Sequence, residues 1–142
     1  MATLTATAAQ ANAQAIYNVN GTVSRCIQYS IAASFSAGDV VQMCKVPNGA
    51  VVSRVAFAIN GHSGVLTVNV GDGNDVSAYA ASVVLSGSAV ALPAAGTYPT
   101  ARGFGRSYSA EDTIDIQIGA ISAPVAAGTL FLTVDYTMQN GG

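Results

Sequence analysis

Between residues 50 and 70 the chain carries its clearest alternation. Val51, Ser53, Val55, Phe57 and Ile59 fall on one face of an extended segment, and Val52, Arg54, Ala56 and Ala58 fall on the other. A period of two is what a β-strand imposes on its side chains. Both rows are mostly apolar, which predicts a strand buried on both faces except at Arg54. Pro47-Asn48-Gly49 leads into it as a turn whose glycine can take a positive φ. Asn60-Gly61-His62-Ser63-Gly64 follows, and then Leu66, Val68 and Val70 alternate with Thr67 and Asn69. Two alternating runs joined by a short Gly-rich link predict a β-hairpin.

Two later segments repeat the period. Ile114, Ile116 and Ile118 alternate with Asp115 and Gln117, and Leu130, Leu132, Val134 and Tyr136 alternate with Phe131, Thr133, Asp135 and Thr137. Each has one apolar and one wet face, the pattern of antiparallel sheets. Less regular segments near 22–31, 40–46, 83–92 and 103–108 bring the expected count to about eight strands, with residues 78–84 open to a helical turn instead. The first strand is expected at about Thr22. Eight or so antiparallel strands without a long helix predict an all-β, two-sheet sandwich of jelly-roll type. Pro93 to Arg102 is the longest stretch without a pattern, and loops of that length are often functional.

Residues 1–20 are Ala-, Thr-, Gln- and Asn-rich and carry no charged side chain. They predict an extended N-terminal arm that orders on a partner, ahead of a sandwich domain over 21–142. The start has no basic cluster and no continuous apolar stretch, so no targeting segment is visible and cytoplasmic synthesis is expected.

Composition sharpens this picture in one respect. Hydrophobic residues make up 51% of the 142 and charged residues only 8%, where about 25% is usual. Such a balance excludes a disordered chain. A surface built of Ala, Ser, Thr, Gly and Asn implies that much of it is covered by other chains. The apolar runs are too short for a membrane span, which needs roughly 20 residues. A net charge of −2 offers no footprint for nucleic acid.

Candidate chemistry is thin. His62 is the sole histidine, flanked by glycines with no acid nearby in sequence, and reads as a solvated turn residue rather than a catalytic base. Asp72, Asp75, Glu111, Asp112, Asp115 and Asp135 sit where turns and wet faces place acids. Gly71-Asp72-Gly73-Asn74-Asp75 superficially resembles an oxygen-rich calcium loop but lacks regular ligand spacing. Cys26 and Cys44 lie in predicted strands that could be sheet neighbours; free thiols are expected more than a disulfide, and with one histidine they make no zinc set. No catalytic residue, metal or cofactor is therefore assigned. Gly103-Phe104-Gly105-Arg106 reads as a strand with close backbone approach. The candidate partner contacts are Leu4, Ile16 and Tyr17 in the arm, and Tyr98, Arg102, Phe104 and Arg106 in and after the long loop, side-chain types that include those enriched at interface hot spots.

Four stretches, KVPNGAVVSRVAFAI (45–59), VLTVNVGDGNDVSAYAAS (65–82), GFGRSYSAEDTIDIQIGA (103–120) and AGTLFLTVDYTM (127–138), together resemble the head decoration, or cement, proteins of tailed bacteriophages. They cover about half the chain, and all are strand–turn patterns rather than catalytic signatures. The resemblance implies a structural virion protein, not an enzyme. It would be a homotrimer bound to the major capsid protein on the capsid exterior, at three-fold or quasi-three-fold axes, with the arm as a strap. The competing expectation is a carbohydrate- or receptor-binding module of a fibre or surface layer, weakened by the absence of Trp.

Overall fold

The computed structural model describes residues 1–6, 21–62, 64–86, 105–123, 125 and 127–138. Nine strands run in chain order: β1 (Thr3–Thr5), β2 (Thr22–Ser30), β3 (Val40–Val46), β4 (Ala50–Asn60), β5 (Val65–Asp72), β6 (Ala80–Ser86), β7 (Arg106–Ser107), β8 (Asp112–Ile121) and β9 (Thr129–Met138). They form a five-stranded sheet in the order β1-β3-β8-β5-β6 and a four-stranded sheet in the order β2-β9-β4-β7. No helix occurs among the described residues.

The second half of the chain pairs back onto the first like a folded ribbon. β2 pairs with β9, β3 with β8, β4 with β7 and β5 with β6, each antiparallel. Such nested pairing, dealt alternately into two sheets, is the jelly roll. β1 stands outside it, adding a parallel strand to β3. The expected sandwich is therefore present, with one pair that is parallel instead of antiparallel.

The core lies between the sheets. Ile114, Ile116 and Ile118 of β8 and Leu66, Val68 and Val70 of β5 face Leu130, Leu132, Val134 and Tyr136 of β9 and Phe57 and Ile59 of β4, all at most 3% exposed. Fully burying each aliphatic side chain stabilises the fold by about 1.5–3 kcal/mol.

Four expectations change. The β4–β5 hairpin does not form: β4 belongs to the four-stranded sheet and β5 to the other, so residues 60–64 cross between layers. The faces of β4 also differ from strict alternation, because a bulge between Val52 and Arg54 slips the register against β9. Val52 consequently joins Val55, Phe57 and Ile59 on the inner side while Ser53 is exposed. His62 is not solvated but 4% exposed. The crossing packs against Gly128, where a Cβ would stand 2.6 Å from the Asn60 carbonyl oxygen and 3.3 Å from the His62 nitrogen. Residues 80–86 form an edge strand and not a helical turn.

Three residues of the predicted arm also make a strand. Thr3, Leu4 and Thr5 register with Val40, Val41 and Gln42. Leu4 packs on the core and Ala6 is 2% exposed. Asp39, itself buried, accepts from the Ala2 amide at 2.7 Å and the Ser36 amide at 2.8 Å; these backbone hydrogen bonds hold its carboxyl below the ordinary range. Residues 7–20 lie outside the described residues.

Candidate functional site

One end of the sandwich concentrates its polar chemistry. Asp72 closes β5 with its side chain fully buried. Arg106 of β7, from the other sheet, grips it with Nε to Oδ2 at 2.5 Å and Nη2 to Oδ1 at 3.1 Å. Bidentate guanidinium–carboxylate pairs of this kind are the strong, geometrically specific ones. Tyr108 donates its hydroxyl to Asp72 Oδ2 at 2.9 Å. Its oxygen lies 2.6 Å from the Tyr79 hydroxyl, so with the Tyr108 proton already used, Tyr79 is the donor of that second bond. The amides of Asn74 and Asp75 donate to Asp72 Oδ1 at 3.0 and 2.9 Å. Asp72 thus clamps both sheets and both adjacent loops at once.

The electrostatics follow. Burial pushes the Asp72 carboxyl up, but the donors from Arg106, Asp75, Tyr108 and Asn74 outweigh it and the net shift is downward. The hydrogen bond to Asp72 raises the Arg106 guanidinium. Burial foremost raises both tyrosine hydroxyls. The loops held by this network, 72–74 and 106–112, line an open cleft of about 420 Å³. Lys45 and Glu111 form an ion pair of 3.7 Å at its margin, and Asn74 Nδ2 donates to Asp112 Oδ2 at 3.4 Å.

Asp115 is the second unusual acid. It stands on the outer side of β8, in register with Gly71 of β5 and Gln42 of β3. A Cβ at Gly71 would lie 2.0 Å from the Asp75 carbonyl oxygen, which shows the 73–77 loop folded over that side of the ladder. Asp115 is 9% exposed, and its Oδ1 has no hydrogen-bond partner among the described residues. Burial, reinforced by the charges of Asp112 and Asp72 and opposed by a bond from Thr113, pushes its carboxyl up to about 7.

The sequence-level candidates distribute unevenly. Leu4 lies in β1 against the core and Arg106 in the Asp72 clamp. Ile16, Tyr17, Tyr98, Arg102 and Phe104 lie outside the described residues, as does the whole 93–102 loop. In the Gly71–Asp75 loop the carboxylates have partners within the protein: buried Asp72 serves Arg106, Tyr108 and two amides, and exposed Asp75 accepts at Oδ1 from Ser77 at 2.9 and 3.1 Å. Among the described residues no group of three His, Cys, Asp or Glu is arranged to hold a metal. Gly105 is explained by its φ of +74 rather than by close approach, since a Cβ there would meet nothing within 4 Å. The cysteines are free and in different sheets, Cys26 exposed on the outside of β2 and Cys44 buried on β3. Burial raises the Cys44 thiol, against the opposing charge and hydrogen bond of Arg25. The Asp72–Arg106 pairing escaped sequence reasoning because 34 positions separate the partners and each has an adequate local reading, as turn acid and surface cation.

The described residues thus define a jelly-roll domain with a buried Asp72–Arg106 clamp at its polar end. No protein-family profile and no curated protein matches the sequence. Two solved structures share the fold: a chain in the capsid of Ralstonia phage GP4, with TM-score 0.71 and 14% identity over 98% of this chain and 99% of that one, and a chain in the capsid asymmetric unit of cyanophage Pam1, with TM-score 0.58 and 20% identity over 92% and 96%.

Proposed function

We propose that this protein is a non-enzymatic structural component of a phage virion that binds the outer surface of the assembled capsid, as a trimer at three-fold or quasi-three-fold axes, and stabilises it. The observation that carries this reading is the fold match to capsid chains over nearly the full length of both partners. The alignments run over 99% and 96% of those chains, so the likeness is to whole chains of this size and not to one part of a longer one. A protein that binds the closed lattice and not its dissociated subunits stabilises the lattice by mass action. Three linked copies add avidity, so modest contacts suffice.

In this reading Ile16, Tyr17, Tyr98, Arg102 and Phe104 supply contacts to the shell, and Leu4 and Arg106 anchor the two segments that carry them. The major capsid protein is the partner, and neither nucleic acid nor membrane is engaged. Sugar binding is disfavoured at the cleft, because its aromatic side chain, Tyr108, is 7% exposed and offers no stacking platform.

The test compares phage particles made with and without the protein. Particles containing it should release their genome at a higher temperature, electron cryomicroscopy should place its density outside the shell at three-fold positions, and light scattering of the purified protein should give a trimer mass. Particles of equal thermal stability with no such density overturn the proposal.

A further inference from the structure

Four strands stand at the ends of the two sheets, and three of them are poorly suited to extension. β1 has three residues and β7 two. β6 contains Ser82 at φ +51 and shifts register against β5. Short, irregular edges are how sheets avoid pairing with other chains. β2 is different. Its nine residues pair with β9 without a register break, it contains no proline or lysine, among the described residues no strand pairs with its other side, and its one guard is the inward-facing Arg25, which disfavours any incoming strand that brings no counter-charge. Such an edge offers a row of N–H and C=O groups to an incoming strand.

Arg25 lies in the middle of that edge. It registers with the buried Val134, so its side chain is directed between the sheets, and it is half-buried. Nη1 reaches Cys44 Sγ at 3.5 Å, and a thiol is a weak acceptor. The other described cations, Lys45, Arg54 and Arg106, each pair with a carboxylate. Arg25 has none among the described residues. A half-buried guanidinium without a counter-charge is a place where an acid from outside gains a desolvated ion pair.

We propose that β2 accepts an extended strand of another protein, carrying an Asp or Glu beside Arg25 and apolar residues two positions to either side, against Val23 and Ile27. Side chains two apart share a face, and both valine and isoleucine here are core residues. The donor is not this chain. All seven of its acidic side chains belong to the sandwich, and residues 7–20, 87–104 and 139–142 contain none. Pairing β2 with β2 of a second copy about its midpoint would bring two guanidinium groups onto one face, which is repulsive. The donor is an extended segment of the shell subunit beneath the protein, so the inference rests on the capsid reading above.

Capsid shells lacking the protein are mixed with wild type, Arg25→Met, Arg25→Glu or the control Val84→Ser, and binding is measured by co-sedimentation with folding checked by circular dichroism. Arg25→Met should weaken binding by at least roughly thirtyfold and Arg25→Glu by more; Val84→Ser, on the outer face of β6, should stay within about twofold. Folded Arg25→Met that binds like wild type overturns the donor strand and leaves the capsid reading standing, whereas wild type that does not sediment overturns both. A second measurement needs no altered Arg25. Cys26 is exposed on the same strand and Cys44 is buried, so a maleimide benzophenone on Cys26 reports on the edge selectively. Photoadducts should map to a shell segment with an acid flanked by apolar residues. Adducts confined to other copies of this chain, or to shell segments without an acid, refute it.

Discussion

Two aspartates in the same end of the molecule titrate in opposite directions, and the difference is one of donors. Asp72 is saturated with them and its carboxyl is lowered; Asp115 has an unpartnered oxygen and its carboxyl rises to about 7. Because the folded state binds the Asp115 proton more tightly than the unfolded chain, whose value is near 3.8, this group favours folding at low pH and loses that contribution as pH rises from about 4 to 7. The upper bound is about 4 kcal/mol. Asp72 works the other way: its contribution is complete above the unfolded value and fades as pH falls below it. Thermal unfolding followed by circular dichroism should therefore show maximum stability near pH 4–5, and Asp115→Asn should raise the Tm at pH 8 with little effect at pH 4. Arg106→Met should cost about 3–5 kcal/mol by leaving Asp72 buried without its cation, and adding Asp72→Asn should recover much of it in urea unfolding. None of this was legible in the sequence, where Arg106 reads as a partner contact and Asp115 as a wet-face acid. Only folding brings β7 to the end of β5 and lays the 73–77 loop over β8.

At the scale of elements, glycine positions separate close packing from backbone shape. Gly71 has the Asp75 and Val76 backbone against it, while Gly105 has open space and a φ of +74. Gly71→Ala should therefore cost about 3 kcal/mol through displacement of the loop, and Gly105→Ala about 1–2 kcal/mol through left-handed backbone strain alone, as measured by denaturant unfolding. The strands themselves were readable wherever alternation is sustained: β5, β8 and β9 keep their expected inner rows. β4 was readable as a strand but not in its facing, since the bulge at Val52/Arg54 leaves no trace in apolar periodicity. β1 was invisible because three residues carry no period, and its pairing depends on β3 and on Asp39 from elsewhere in the chain. The assumed hairpin failed for a related reason. A five-residue link fits a tight turn and a step between layers equally well, and the choice is made by the partners β9 and β8.

At the scale of the whole molecule, the scarcity of charge predicts how it should bind. Of five basic and seven acidic side chains, six form three internal pairs, and Asp39, outside those pairs, spends its oxygens on backbone donors. Little remains to make long-range attraction to a partner, and what remains is screened within about 8–10 Å at ordinary ionic strength. Attachment to a shell should then depend on backbone pairing and apolar contact, with one desolvated ion pair at Arg25 that solvent ions reach poorly. Raising sodium chloride from 50 to 500 mM should lower the affinity for capsid shells by less than about tenfold, whereas interfaces held by surface charge fall more steeply. Co-sedimentation across that salt range checks the expectation. A steep loss would mean that exposed charge, Arg102 included, carries the attachment in place of the β2 edge.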